Sequence, residues 1–129
     1  MFLLNVPPLL ANFQLYYQNL RGIHWNIKGR AFFDLHVKFE ELYNDANIKV
    51  DEIAERILTL RYHPKSQYSD YLKISSLKES DSIKSDDQMV KEILHDHEIL
   101  LKQMSVTINQ ANKANDEGTI DLIGYTQIM

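Results

Sequence analysis

The sequence predicts an all-α protein: a four-helix bundle with a short extra helix in the crossover between the second and third helices, and a clipped fourth. Three observations predict it. Only three prolines and four glycines occur in 129 residues, so long stretches run uninterrupted. Within them apolar residues recur at steps of three and four, the period of one helix face. The breaks fall where Gly, Pro, Asn and Ser collect.

Leu9, Phe13, Tyr16, Leu20, Ile23 and Ile27 mark the first helix, starting near Pro7 and Pro8 with Asn5 as its expected cap. Lys28-Gly29-Arg30 reads as the break. Leu35, Phe39, Leu42, Ala46, Val50, Ile53, Ile57 and Leu60 then give a second helix of about seven turns, expected to end at His63-Pro64. The segment 65–85 is polar and serine-rich, with a short helical candidate around 70–74. A third helix is expected over about 86–114, with Val90, Ile93, Leu100, Met104, Ile108 and Ala111 on one face. Asn115 to Gly118 reads as the next break, and a fourth helix starts at Thr119 with about three turns to Met129.

Length fits one domain, residues 1–129, large enough for a core without staples. With no cysteine there is no disulfide, zinc-thiolate or iron-sulfur option, so any metal must be held by nitrogen and oxygen. The formal charge of −4 argues against a broad basic face for nucleic acid. No apolar run approaches a membrane span, and MFLLNVPPLLA lacks the charged start of a secretory signal, so the expected compartment is the cytoplasm.

The chemistry concentrates between His24 and Glu55. On one helix His36, Glu40, Asp51 and Glu55 lie at relative angles of about 0°, 40°, 60° and 100°, one polar stripe beside the apolar one. His24 precedes Gly29 by five residues and His36 follows it by seven, so in an antiparallel hairpin they stand at similar heights and can meet. With Glu40 one turn on, they make a mixed half-site suited to Fe(II), Mn(II) or Zn(II). Asp51 and Glu55 are an i,i+4 carboxylate pair whose repulsion a cation relieves. The two halves are separated by roughly 22 Å of helix, too far to share an ion within one chain. If two copies of the second helix pack antiparallel about a two-fold axis, His36/Glu40 of one faces Asp51/Glu55 of the other, giving two equivalent sites. The same residues also read as ordinary charges on the exposed face of an amphipathic helix.

The segment from Tyr16 to Leu60, YYQNLRGIHWNIKGRAFFDLHVKFEELYNDANIKVDEIAERILTL, resembles the core of the Dps proteins, the miniature ferritins that protect DNA during starvation. The match includes His24-Trp25, the Leu-His step at His36 and the Asp-x-x-Ala-Glu-Arg block from Asp51 to Arg56, and it continues more loosely through the third helix. The resemblance implies a ferritin-like bundle assembled as a hollow dodecamer. Its activity would be that of a ferroxidase: Fe(II) oxidised at dimer interfaces, with hydrogen peroxide as the usual oxidant and dioxygen as the other, and iron kept inside as Fe(III) mineral against oxidative stress. His24 and His36 match the two ligand histidines, and Asp51 and Glu55 the carboxylates supplied across the interface. Glu40 stands where the family often has aspartate. Trp25 matches the tryptophan beside the site, a radical quencher or simply a large interfacial aromatic.

Other features have plainer readings. The family's longer N-terminal segment and full fourth helix have no counterpart in these 129 residues, and neither has the lysine-rich tail often used on DNA, so DNA is not an expected partner. The alternative function is a metal-binding or structural helical oligomer without turnover; the chain as a piece of a longer product is a further possibility. Arg61-Tyr62 stands where relatives often place glycines. Glu92 and His95 read as a solvated face, His97 as a hydrogen-bonded core histidine, and Tyr16, Tyr17 and Tyr43 as helix packing. Asp116, Glu117 and Asp121 suit the start of the last helix for dipole reasons, and in the family this region lines iron-entry pores.

Overall fold

The computed structural model describes residues 6–29 and 31–126, the last by its backbone alone. It contains α1 (Val6–Asn26), α2 (Phe32–Thr59), α3 (Tyr68–Ile74), α4 (Asp86–Lys113) and α5 (Glu117–Thr126), with no strand among the described residues. The expected cap Asn5 lies outside the described residues.

Helix α1 is the centre of the bundle. Thirteen of its 21 residues are buried, against five of the 28 in α2, because α1 packs on α2, α3 and α4 together. Its Leu9, Phe13, Tyr16, Leu20 and Ile23 meet Phe39, Ala46, Ile53 and Ile57 of α2, and Met89, Ile93, Leu100 and Met104 of α4. Each such fully buried apolar side chain contributes roughly 1.5–3 kcal/mol. Helix α5 closes the square against α4 and α2, with Ile123 buried.

The ends of the helices differ from the expectations in ways the backbone explains. Helix α2 stops at Thr59, short of His63-Pro64. There the Tyr62 N–H donates to the Ile57 carbonyl and the Arg61 N–H to Leu58, with Arg61 at φ 70°, a left-handed Schellman turn that ends the helix before proline acts. The same motif ends α4: Asn115 takes φ 56°, and the Asp116 N–H donates to the Ala111 carbonyl. Gly118, expected in that break, lies inside α5, which begins two residues before Thr119. Asp116 is its N-terminal cap, accepting from the Thr119 N–H at 3.1 Å. At the other end of α4, Ser85 and Gln88 form a capping box. Its inward face includes Met89, while Val90 only borders the core.

The irregular crossover is strapped to α1 by two buried amides. Asn12 accepts from Ser75 Oγ at 2.7 Å and from the Ser76 N–H at 2.8 Å. Two turns on, Asn19 donates to the Lys78 carbonyl and accepts from the Ser80 N–H, both at 2.9 Å. Backbone groups without helical partners are satisfied in this way. Glu92, expected on a solvated face, is half-buried and holds Ser80 Oγ at 2.8 Å and Lys84 Nζ at 2.5 Å; His95 is exposed as expected. No described helix is long and apolar enough to cross a membrane.

Candidate functional site

The turn between α1 and α2 is tight enough to bring the two histidines face to face. Gly29 takes φ +102°, open to glycine at no steric cost, and its carbonyl accepts from the Phe32 N–H at 3.2 Å. His24, five residues before it, is buried; His36, seven after it, is half-buried. Their rings stack with centroids 3.7 Å apart and planes at 18°. His24 Nδ1 donates to the His36 carbonyl at 2.6 Å, and His36 Nδ1 donates to the His24 carbonyl at 2.8 Å.

These two bonds fix the tautomers. A carbonyl oxygen only accepts, so Nδ1 carries the proton on both rings, and in the neutral imidazole each Nε2 is left with a lone pair. A backbone carbonyl behind Nδ1 is the arrangement that aims a ligand histidine and raises its basicity. His24 Nε2 faces Glu40 Oε1 at 3.5 Å, an unprotonated nitrogen opposite a carboxylate oxygen. Those lone pairs repel unless a cation lies between them. With both donors about 2.1 Å from a divalent ion, their separation subtends about 110°, a normal ligand angle. Phe32 stacks on His36 at 4.9 Å and Tyr43 sits edge-on to His24 at 5.3 Å, so aromatic surface covers the pair on two sides.

The structure thus brings His24, His36 and Glu40 together. It does not bring Asp51 and Glu55 to them. Both are exposed further along α2, with no ion-pair partner among the described residues, and no group of three His, Asp or Glu side chains within one chain is arranged to hold a metal among those residues. Trp25 turns away from His24, as adjacent helical positions must, and lies 58% exposed beneath the Arg21 guanidinium at 5.0 Å. Phe32 and Tyr43 were not expected at the site. Their spacing of minus four and plus seven from His36 is the signal that places them on its face.

Elsewhere the interior is more polar than apolar periodicity suggests. Tyr16 donates its hydroxyl proton to His97 Nε2 at 2.6 Å, since burial and the charges of Asp45 and Asp96 push the phenol's pKa up and burial pushes the imidazole's down. His97 is accordingly the hydrogen-bonded histidine expected at that position. Asp96 is buried with Asn19 Nδ2 at 3.4 Å, and burial raises its carboxyl to about 6. Asp116 pairs with Arg56 Nη2 at 2.5 Å and accepts from Thr119 Oγ1 at 2.7 Å. Burial alone would raise its pKa, but Thr119 and Arg56 outweigh that and hold it low. Asp116 is thereby tied into helix anchoring, while Glu117 and Asp121 stay exposed.

Comparison with known proteins agrees with this architecture. The ferritin-like domain family matches residues 9–127. The Porphyromonas gingivalis DNA protection during starvation protein is 41% identical over 118 residues, covering 91% of this chain and 74% of its own length. An uncharacterised Haemophilus influenzae protein is 50% identical over 111 residues, 86% of this chain and 69% of that protein. Among solved structures, a Vibrio cholerae Dps described as a ferritin-like diiron-carboxylate protein superposes with a TM-score of 0.93 at 42% identity, covering 98% of this chain and 79% of that one. Staphylococcus aureus Dps gives 0.95 at 38% identity, covering 98% and 85%. With the bundle, the strapped crossover and these relatives in agreement, the chain belongs to the Dps family of ferritin-like proteins.

Proposed function

We propose that this chain is an iron-storing miniature ferritin and a ferroxidase, taking Fe(II) as substrate at a site divided between two subunits and storing the Fe(III) product as mineral. The observation that carries this reading is the locked histidine pair, with its Nε2 lone pairs exposed beside the Glu40 carboxylate. Asp51 and Glu55 supply the remaining charge from the other subunit, because an antiparallel pairing of α2 across a two-fold axis offsets the roughly 22 Å between the half-sites. The exposed Val37 and Ile48, on the side of α2 that bears Glu55, give that pairing apolar surface.

The donor set suits the chemistry. Two imidazoles and carboxylates hold Fe(II) while leaving positions open to oxidant, and the anionic oxygens stabilise the higher charge of Fe(III). With hydrogen peroxide as oxidant, two Fe(II) each give one electron, the O–O bond breaks, and two protons complete two waters. The resemblance of the chain to dodecameric cages supplies the compartment, and the cytoplasm its location. DNA is not among the partners this reading requires.

Subunit complementation tests it. His36→Ala and Asp51→Ala each remove a ligand from both sites of a dimer and should slow ferric formation from Fe(II) and peroxide. When the two variants are unfolded and reassembled together, each mixed dimer carries one doubly damaged site and one intact site, and recovers about half the activity of an unaltered dimer. A mixture no faster than its parents would remove the shared site.

A further inference from the structure

The rings beside His24 continue as a train that the metal chemistry above does not use. Tyr43 lies edge-on to His24 at 5.3 Å, and Tyr17 edge-on to Tyr43 at 6.0 Å. Beyond them the Arg21 guanidinium lies over Tyr17 at 5.1 Å and over Trp25 at 5.0 Å. The two tyrosines come from different helices, Tyr43 from α2 and Tyr17 from α1, so the hairpin that aligns the histidines also aligns the tyrosines.

We propose that Tyr43 is the one-electron donor that completes peroxide reduction when a site holds a single Fe(II), a role that rests on the ferroxidase reading above. Cleaving peroxide to water takes two electrons, and one Fe(II) gives only one. Left there, the reaction releases a hydroxyl radical. With the phenol as second donor the step balances: Fe(II), TyrOH, hydrogen peroxide and one proton give Fe(III), a tyrosyl radical and two waters. The O–O bond breaks, iron and phenol are each oxidised by one electron, and the phenolic proton leaves to water. Tyr43 is the first redox-active ring in contact with His24, so it is the donor nearest the reacting oxygen.

Arg21 decides how far the oxidation travels. A cation over an aromatic face stabilises the electron-rich, reduced ring, and so opposes removing an electron from it. Tyr17 and Trp25 both lie under that cation, whereas Tyr43 is one ring removed from it. The radical therefore rests on Tyr43 and does not pass to Trp25. Tyr43 acts through His24 and is a relay residue.

The full chain is loaded with one Fe(II) per site, mixed with hydrogen peroxide and frozen for electron paramagnetic resonance, with ferric absorbance recorded on the same sample. The expected result is a tyrosyl signal that narrows when the protein carries ring-deuterated tyrosine, is lost in Tyr43→Phe, and gives way to an indole signal in Arg21→Gln. The deuterated protein keeps the assignment to tyrosine testable without any substitution. Ferric product with no radical, with an indole radical in the unaltered protein, or with a tyrosyl signal surviving Tyr43→Phe overturns the relay. Absence of ferric product overturns the ferroxidase reading itself, and the relay with it.

Discussion

His24 and His36 each give their Nδ1 proton to the other's backbone carbonyl while their rings stack 3.7 Å apart. One pair of bonds thereby does two jobs. It closes the α1–α2 hairpin beside Gly29, and it leaves both Nε2 atoms as acceptors. The cost falls at Glu40, whose carboxylate must stand 3.5 Å from an unprotonated nitrogen when no cation is present.

That cost predicts opposite effects of Glu40→Gln on stability and on binding. The amide N–H donates to His24 Nε2, replacing a lone-pair clash with a hydrogen bond, so the metal-free protein gains about 1 kcal/mol. Loss of the anionic oxygen weakens divalent-ion binding by at least roughly tenfold, the scale on which shell groups act. Thermal unfolding without metal and calorimetric titration with Co(II), an ion that does not turn over, measure the two. A destabilised metal-free variant with unchanged affinity would mean that Glu40 is an ordinary surface charge.

The buried carboxyl of Asp96 predicts a pH dependence of a different sign from that of most acids. Asn19 hydrogen-bonds it, Lys84 and His95 attract its charge and Glu92 repels it, but burial dominates and lifts it from 3.8 to about 6. The folded state then holds a proton that the unfolded chain has released, so stability from this group is full below about pH 4 and falls as pH rises to about 6. The span of about two units is worth at most ~3 kcal/mol, and water access reduces that to about 1–2 kcal/mol. Asp96→Asn should therefore raise the unfolding free energy at pH 7.5 by that amount and leave it nearly unaltered at pH 4. Equal effects at both pH values would place the cause in packing.

The residues that position the site were legible because they obey helix arithmetic. Apolar steps of three and four gave α1, α2 and α4, and rise per residue separated His36 from Asp51 without any structure. What escaped has a different origin. Asn12 and Asn19 serve a crossover sixty residues away, and Asp96 serves Asn19. Periodicity scores them as interruptions of an apolar face, yet amides two turns apart on a helix buried on nearly every side are themselves the sign that something irregular must be strapped there. The helix ends escaped because left-handed turns at Arg61 and Asn115 close α2 and α4 by backbone hydrogen bonds, and Arg61 carries no compositional flag for such a turn.

Arg61 predicts a stabilising substitution. It occupies the position after the helix end where glycine is favoured, at φ 70°, and it is exposed. Arg61→Gly removes the strain of a side chain in left-handed backbone, offset in part by the freer unfolded chain, for a net gain of about 0.5–1 kcal/mol. Chemical denaturation with an unchanged m value would register it as a higher midpoint. A loss of stability would mean that the Arg61 side chain makes contacts worth more than the strain.

Arg56 fastens the last helix, and its contribution should fade in acid. Its Nε donates to Thr119 Oγ1 at 2.9 Å and its Nη2 to Asp116, whose carboxyl the same contacts hold below the ordinary range. A depressed carboxyl stabilises the fold above its unfolded pKa and loses that contribution as pH falls through the folded value. Both side chains are largely shielded from solvent, so a double-mutant cycle of Arg56→Ala with Asp116→Ala should give a coupling of about 1–2 kcal/mol at pH 7, shrinking toward zero in acid. Gly118 supplies an independent route to the same contact, because a Cβ there would lie 2.6 Å from Arg56 Nη2 and push the guanidinium aside. Gly118→Ala should therefore lower the melting temperature in the Arg56 background much less than in the unaltered protein. Equal losses in both backgrounds would show that the glycine answers to something other than the Arg56–Asp116 pair.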